Sequence, residues 1–316
     1  MTKGLSEQYL LRRRPAAEKL VDQVFKKLVI VMASMVAIIL AGIILFVFHG
    51  AWDSMGIYGL RYLVTSEWNP VSDQYGAFTA IYGTLVTSLT SIFIAVPLGV
   101  GTAIVITENI LPKKLGEIVG ALVELLAAIP SVVLGLWAIF VMEPFLRPLF
   151  NIIYNLFGWL PFLGTEPIGP GIAPATLILA IMILPIITSI SRDSLHQVPK
   201  SLREAAYGIG ATRWASIFNV LLPAAVSSIT GGVLLALGRA MGETMAVTMI
   251  IGNSLNFSLS IFSPGNTISA LLANQFGEAD GIQISSLYYA AFILMILTLT
   301  VNIFAQWLVK RLSLQY

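Results

Sequence analysis

Six long apolar runs constrain this chain more than any other feature, because each is long enough to cross a lipid bilayer. A transmembrane helix needs about 20 mostly apolar residues, since each residue rises about 1.5 Å. The predicted spans are Leu28–Phe48, Ile81–Thr107, Ile118–Met142, Ile172–Ile190, Ala224–Gly252 and Leu287–Val309. They predict an all-α polytopic membrane protein, with a basic N-terminal tail at 1–27 and a transmembrane domain over 28–316.

The composition supports a membrane protein and excludes an ordinary soluble enzyme. The chain is 57% hydrophobic and 11% charged, whereas soluble domains are about 45–50% apolar and about 25% charged. Cysteine is missing from the sequence and only two histidines occur, His49 and His196. Disulfides, thiolate catalysis and Cys-based metal sites are therefore excluded, and neither a cofactor nor a nucleic-acid partner is expected.

The basic residues predict the orientation of the spans. Fifteen of the eighteen Lys and Arg residues fall in the segments 1–27, 108–117, 191–223 and 310–316, and two fall in the remaining loops. Basic residues collect in cytoplasmic loops, so this asymmetry predicts six spans with both termini in the cytoplasm. The first run is longer than the apolar region of about 7–15 residues in a signal peptide, which predicts an uncleaved anchor.

Prolines interrupt several of the apolar segments. Pro97, Pro130 and Pro185 lie within predicted spans, where each removes a backbone donor and favours a kink. Broken helices in a membrane favour a transport path over a simple anchor. The apolar segment 145–163 is interrupted by proline and glycine, which predicts an interfacial or re-entrant helix, with a seventh span as the alternative.

The loop 191–223 carries a recognisable pattern of small residues. Its first part predicts a short helix, in which Glu204 suits the positive N-terminal end, Ala205 and Ala206 allow close approach by another protein, and Gly210 permits a turn. Leu222 and Pro223 end the pattern, and Pro223 fits the first turn of the next helix. In the third span, Glu124 is interpreted as pairing with a base or lining an inner gate.

Two charged residues fall inside the fifth apolar run. Arg239 and Glu243 are four residues apart, so on a continuous helix they would share one face and could pair. A charge at mid-span costs about 2.5–3.5 kcal/mol on insertion scales, so a structural ion pair competes with a functional site. Arginine presents a planar fork of donors that matches oxyanions. The functional interpretation is an anion path formed by Arg239 and Glu243, with hydroxyls from Thr244 and Thr248.

These patterns resemble a known transporter family. The segment from Glu204 to Pro223 resembles the EAA loop of bacterial ATP-binding-cassette (ABC) importer permeases, with Val220 where Ile is usual. The run from Gly238 to Val247 resembles the permease subunits of the phosphate-specific transport (Pst) importer. The segments 75–88, 124–131 and 250–253 are similar to the PstC type, and the resemblance covers roughly residues 28–310.

The resemblance implies a type I ABC importer permease (MetI-like) fold in the bacterial inner membrane. It implies that Arg239 and Glu243 act in phosphate passage. It also implies that Glu204, Ala205, Ala206, Gly210, Leu222 and Pro223 couple to the ATPase. The implied partners are a sister permease subunit, two cytoplasmic ATPase subunits and an extracytoplasmic phosphate-binding protein. The sequence contains no Gly-Lys dipeptide and therefore no P-loop, so ATP hydrolysis is expected on a separate chain.

Three other functions remain open from the residues alone. An ABC importer of the same kind could carry molybdate, sulfate or phosphonate instead of phosphate. An ion-coupled secondary carrier would need no docking loop. An intramembrane enzyme is disfavoured, because no paired catalytic carboxylates, histidine cluster or nucleophile motif is found.

Overall fold

The computed structural model describes residues 16–108 and 110–313. Arg12, Arg13 and Arg14 of the predicted basic tail lie outside the described residues. The chain divides into two units, residues 1–49 and residues 50–316. Helix α1 covers Ala16–Tyr58 and includes the whole of the predicted first span.

The second unit consists almost entirely of helices. A 3-10 turn at Gly59–Leu63 leads into a small hairpin, in which β1 (Trp68–Asn69) pairs antiparallel with β2 (Gln74–Tyr75). The helices that follow are α2 (Phe78–Thr107), α3 (Lys113–Ala128), α4 (Ser131–Trp137), α5 (Glu143–Phe157), α6 (Ile172–Gln197), α7 (Lys200–Gly208), α8 (Arg213–Ser216), α9 (Leu222–Gly242), α10 (Met245–Ile250), α11 (Ile268–Gln275) and α12 (Gly281–Ser313). In the hairpin, burial and the nearby carboxylate of Asp73 raise the pKa of Tyr75 to about 12.

Six helical runs in the described part of the chain are long and apolar enough to cross a membrane. They are Leu20–Leu63, Phe78–Thr107, Ser131–Phe157, Ile172–Gln197, Arg213–Gly242 and Gly281–Arg311. The predicted all-α fold with six membrane-spanning helices is confirmed.

The third span does not lie where the sequence pattern placed it. The helix that contains Ile118 ends at Ala128, and Ile129 is extended (φ −72°, ψ 126°) because it precedes Pro130. The run that is long enough to span covers Ser131–Phe157, with a π-helical turn between α4 and α5. The prediction of an interfacial or re-entrant helix over 145–163 is therefore wrong for most of that segment, which forms the second half of the spanning run.

Helix α6 is the centre of the second unit. It packs against α2 and α9, and 72% of its most apolar stretch is buried. Glycines allow this close packing: a Cβ on Gly99 of α2 would lie 2.9 Å from Cγ2 of Ile187, and one on Gly232 of α9 would lie 2.7 Å from Cγ2 of Ile190. Pro97 and Pro185 lie inside α2 and α6, and neither helix ends there.

Candidate substrate path and coupling surface

Arg239 lies in the last turn of α9, and its side chain is exposed. Within the described part of the chain it makes no hydrogen bond or ion pair. Its neighbours Ala236 and Ala240 are buried in the core. The carbonyl end of a helix favours a positive charge. The guanidinium is therefore compatible with its helix position, and all of its donors remain available to a ligand or another subunit.

Glu243 does not continue the helix of Arg239, so the predicted pairing of these residues on one helix face is wrong. Helix α9 ends at Gly242, and Glu243 has extended backbone angles (φ −67°, ψ 125°). Its carboxylate is half-buried, and Oε1 accepts a hydrogen bond of 3.5 Å from the amide of Ala246 in α10. The predicted continuous span Ala224–Gly252 is thus two helices separated by a break.

Hydroxyl groups satisfy the carbonyls that are freed at this break. Ser269 Oγ donates to the carbonyl of Met241 (3.4 Å), and Thr244 Oγ1 donates to the carbonyl of Gly242 (3.2 Å). One turn later, Thr248 Oγ1 donates to the carbonyl of Thr244 (2.7 Å). A broken helix at membrane depth persists only where such partners exist. Thr244 and Thr248 are both half-buried beside Glu243, so the structure brings three of the four predicted path residues together.

The sequence analysis did not identify two residues that lie near the break. The first is Ser269, because its hydrogen bond is to a carbonyl 28 positions earlier in the chain. Asn302 of α12 is the other: its Nδ2 would lie 3.9 Å from a Cβ on Gly238, and its Oδ1 is buried without a partner among the described residues. A polar side chain within the apolar run of α12 was the signal that could have identified Asn302.

The loop 191–223 folds as the predicted short helix and turn, but the predicted place of Glu204 at the N-terminal end of that helix is wrong. The helix begins at Lys200 and has no acidic residue in its first turn, so Glu204 lies in its second turn. Helix α7 contains Glu204, Ala205 and Ala206. Gly210 follows with a positive φ of 86°, a conformation that favours glycine. The amide of Ala211 donates to the carbonyl of Ala206 (3.0 Å), which closes the turn.

Ala205 and Ala206 of this loop lie in different environments. Ala206 is buried, whereas Glu204 and Ala205 are exposed. The loop also carries exposed large apolar side chains, namely Leu202, Tyr207, Ile209, Trp214 and Phe218. Ile209 at the turn is 87% exposed. An apolar patch of this kind in a loop is typical of a protein interaction site.

Leu222 and Pro223 begin α9 as predicted, but the helical run starts earlier in the chain. The amide of Leu222 donates to the carbonyl of Ile217, five residues back, in a π-helical turn. This turn joins α8 to α9, so the apolar run extends over Arg213–Gly242. Leu222 and Pro223 are half-buried at the point where the loop enters the helix bundle.

Glu124 pairs with a base, which was one of its two predicted roles. Arg192 Nη1 of α6 donates to Glu124 Oε1 at 3.0 Å, and Arg192 Nε also contacts Asp193 (3.3 Å). The pair lies in a cleft of about 560 Å³ between α3 and α6. Within residues 16–108 and 110–313, no group of three His, Asp or Glu residues could hold a metal ion.

Comparison with known families identifies the class of this fold. The family described as binding-protein-dependent transport system inner membrane component matches residues 95–314. The chain belongs to this family. The matched region of the permease contains the loop 191–223 and the helix break at Glu243.

Curated relatives cover nearly the whole permease. The phosphate transport system permease protein PstC of Mesorhizobium japonicum is 43% identical over 93% of this chain and 91% of its own length. The protein of the same name from Pasteurella multocida is 39% identical over 96% of this chain and 98% of its own length. PstC 1 of Mycobacterium tuberculosis is 38% identical over 83% of this chain and 85% of its own length.

Solved structures share the fold at low sequence identity. A bacterial ABC transporter involved in the import of the acidic polysaccharide alginate matches with a TM-score of 0.53 and 18% identity, covering 93% of this chain and 99% of that one. The MetNI methionine ABC transporter in an inward-facing conformation matches with a TM-score of 0.52 and 18% identity, covering 74% and 93%. The predicted MetI-like fold is confirmed. The permease is an inner-membrane component of a binding-protein-dependent transport system.

Proposed function

We propose that this chain is one of two membrane subunits of an ATP-driven importer that carries inorganic phosphate from an external binding protein to the cytoplasm. The observation that carries this proposal is the guanidinium of Arg239, which is exposed and makes no ion pair with the described residues, next to a break in a membrane helix. The names of the curated relatives support phosphate as the cargo.

Arg239 and the residues at the break form the proposed substrate path. A guanidinium that has no partner among the described residues offers paired donors to a tetrahedral oxyanion. Glu243 lies four residues further on and contributes a competing negative charge, which keeps contact with the anion exchangeable. Thr244 and Thr248 line the same break, although their hydroxyl protons are engaged by backbone carbonyls.

The exposed face of α7 forms the proposed docking site for the ATPase. Glu204 and Ala205 place a carboxylate and a small side chain on that exposed face, whereas Ala206 is buried within the permease. Gly210 forms the turn that exposes Ile209. Leu222 and Pro223 join this surface to α9, which ends in the Arg239 turn.

The proposed assembly contains this permease, a sister permease, two ATPase subunits and an external phosphate-binding protein. The family supports these classes of partner. The sister subunit completes the path, since Arg239 faces away from the core of its own chain. The distribution of basic residues supports a cytoplasmic location for both termini and for the loop 191–223.

Reconstitution tests the function directly. Proteoliposomes that contain the permease, its sister subunit and the ATPase should accumulate radiolabelled phosphate when the binding protein is outside and ATP is inside. Unlabelled phosphate should compete, while sulfate, molybdate and phosphonates at equal concentration should not. Competition by one of those anions would reassign the cargo. Uptake that continues without ATP would indicate a secondary carrier instead.

A further inference from the structure

A partly buried ion pair joins the loop helix α7 to the end of the second spanning helix. Arg203 Nη2 donates to Glu108 Oε1 at 2.6 Å. The Glu108 side chain is 5% exposed and that of Arg203 is 27% exposed. The two residues are 95 positions apart in the sequence, so the contact belongs to the tertiary structure.

Glu108 occupies an unfavourable position unless it is paired. It is the C-cap residue that follows Thr107, at the end of α2 where the helix dipole is negative and disfavours a carboxylate. Burial adds to this cost, because a desolvated charge needs a compensating partner. Arg203 supplies that partner, and its buried Nε has no hydrogen-bond acceptor among the described residues. The pair between Glu124 and Arg192 differs, since its carboxylate side chain is 63% exposed.

Apolar packing fixes the surroundings of the ion pair. Ala103 and Ile104 in the last turns of α2 share one core cluster with Leu195 of α6 and with Ile217 and Leu221 before α9. The loop helix α7 contacts the π-helical turn that contains Ile217 and Leu221, and its Ala206 is buried. The ion pair is therefore a polar link between α7 and a well-packed helix end.

Helix α2 reaches from this ion pair to the opposite end of the bundle. It has 30 residues and a length of about 45 Å. At its far end the amide of Ile268 donates to Thr84 Oγ1 (3.0 Å), and Thr79 Oγ1 donates to the carbonyl of Leu255 (3.3 Å). A Cβ on Gly83 would overlap the carbonyl of Asn266. The segment 255–268 is thus bound to the first turns of α2.

This segment leads back to the proposed substrate path. Ile268 begins α11, and the next residue, Ser269, donates to the carbonyl of Met241. Met241 lies two positions after Arg239. A continuous series of ionic, helical and hydrogen-bonded contacts therefore connects α7 to the end of α9. Packed side chains, hydrogen bonds and rigid helices of this kind can carry coupling between distant sites, and a measured coupling effect is the test.

We propose that the Arg203–Glu108 ion pair transmits movement of the loop helix to α2 and thereby links ATP hydrolysis to opening of the phosphate path. This inference rests on the proposed importer function. Arg203 and Glu108 are positioning residues, since neither belongs to the proposed substrate path or to the exposed docking face. Loss of the pair leaves hydrolysis in place and lowers the amount of phosphate imported per ATP.

The first experiment measures ATP hydrolysis and phosphate uptake in the same reconstituted complex. Glu108→Gln keeps the shape of the side chain and removes its charge. We expect an assembled complex that hydrolyses ATP, with at least about a fivefold lower ratio of phosphate imported to ATP hydrolysed. Glu124→Gln is the matched control, because it breaks the more exposed pair at the same end of the bundle, and it should keep the wild-type ratio.

The second experiment restores the link covalently. The natural chain has no cysteine, so a variant with Glu108→Cys and Arg203→Cys reacts only at the two introduced thiols. A bifunctional thiosulfonate reagent joins the thiols, and a reductant releases them, with each state checked by mass. We expect a low ratio before cross-linking, recovery with the linker, and a low ratio again after reduction.

Different results separate this inference from the importer function. If the wild-type complex imports phosphate with ATP but Glu108→Gln keeps the wild-type ratio, the ion pair does not transmit movement. Failure of Glu108→Gln to assemble, or failure of the verified linker to restore the ratio, also overturns the inference, because the pair is then a folding contact. If the wild-type complex itself does not import phosphate with ATP, the importer function fails.

Discussion

Gly99 of α2 and Ile187 of α6 meet so closely that no side chain fits between them. A Cβ on Gly99 would lie 2.9 Å from Cγ2 and 3.1 Å from Cβ of Ile187. Ile187 is fully buried and β-branched, so it has little freedom to move away. The contact fixes the distance between the two helices that form the centre of the bundle.

Gly99→Ala should therefore destabilise the permease. Overpacking in a well-packed core costs about 1–3 kcal/mol, so thermal unfolding of the purified protein in detergent should shift down by several degrees. Gly101→Ala is the matched control, because a Cβ there meets nothing within 4 Å and alanine is the better helix former. Equal unfolding temperatures for the two variants would show that α2 and α6 are less tightly packed than the structure indicates.

Replacement of Arg239 should stop transport without preventing assembly. Arg239→Gln removes the charge from an exposed side chain that makes no bond within the described chain, so the ATPase should still co-purify while uptake is lost. Arg239→Lys retains the charge but not the planar fork, and should keep a small part of the uptake. If Arg239→Gln instead prevents assembly with the sister subunit, the residue is an interface contact and the proposed path is wrong.

The number of spans and the loop helix could be predicted from the sequence because both depend on local patterns. Apolar length alone defines a spanning helix, and the small residues of 204–210 favour a short helix and turn whatever surrounds them. The third span was misplaced because Pro148, Gly158 and Pro161 made the segment 145–163 look too interrupted to cross a membrane. In the structure, Pro148 lies inside α5, and the helix continues past it to Phe157.

The break between Arg239 and Glu243 could not be predicted from neighbouring residues. Apart from Arg239 and Glu243, the run 224–252 carries no charged residue and no proline, so its sequence predicts a continuous helix. At this end, the carbonyl of Met241 accepts a hydrogen bond from Ser269 of a separate helix, a contact that the local sequence does not reveal. The bond between Arg203 and Glu108 was missed for the same reason, since it joins residues 95 positions apart.

Ala205 and Ala206 should respond differently to a bulky substitution. Ala205→Tyr adds a ring to an exposed face, so the permease should fold normally but bind the ATPase more weakly in a pull-down. Ala206→Tyr forces a ring into a buried position and should lower the unfolding temperature of the permease itself. Leu115→Tyr, on the exposed face of α3, is a control that should change neither. Normal ATPase binding by Ala205→Tyr would contradict the docking assignment.

The hydroxyls of Thr244 and Thr248 should differ in their contribution to uptake. Thr248 donates a short bond of 2.7 Å within its helix, whereas Thr244 donates a longer bond of 3.2 Å at the helix break. The Thr244 hydroxyl can therefore more easily give up its carbonyl acceptor and donate a hydrogen bond to a passing anion. Thr244→Val should lower the uptake rate by about tenfold, the effect of losing roughly 1.4 kcal/mol of interaction with the anion, and Thr248→Val by much less. Equal effects of the two variants would show that neither hydroxyl contacts the anion.

The orientation of the chain can be measured with single cysteines, because the natural sequence contains none. Val71 lies in the turn of the β-hairpin and is 96% exposed, and Ser201 lies on the exposed side of α7. A maleimide that cannot cross membranes should label Val71→Cys in intact spheroplasts, and should label Ser201→Cys only after the cells are opened. This outcome follows from the concentration of basic residues around the loop 191–223. Labelling of Ser201→Cys in intact spheroplasts would place the proposed ATPase-docking surface outside the cell, where a cytoplasmic ATPase cannot reach it.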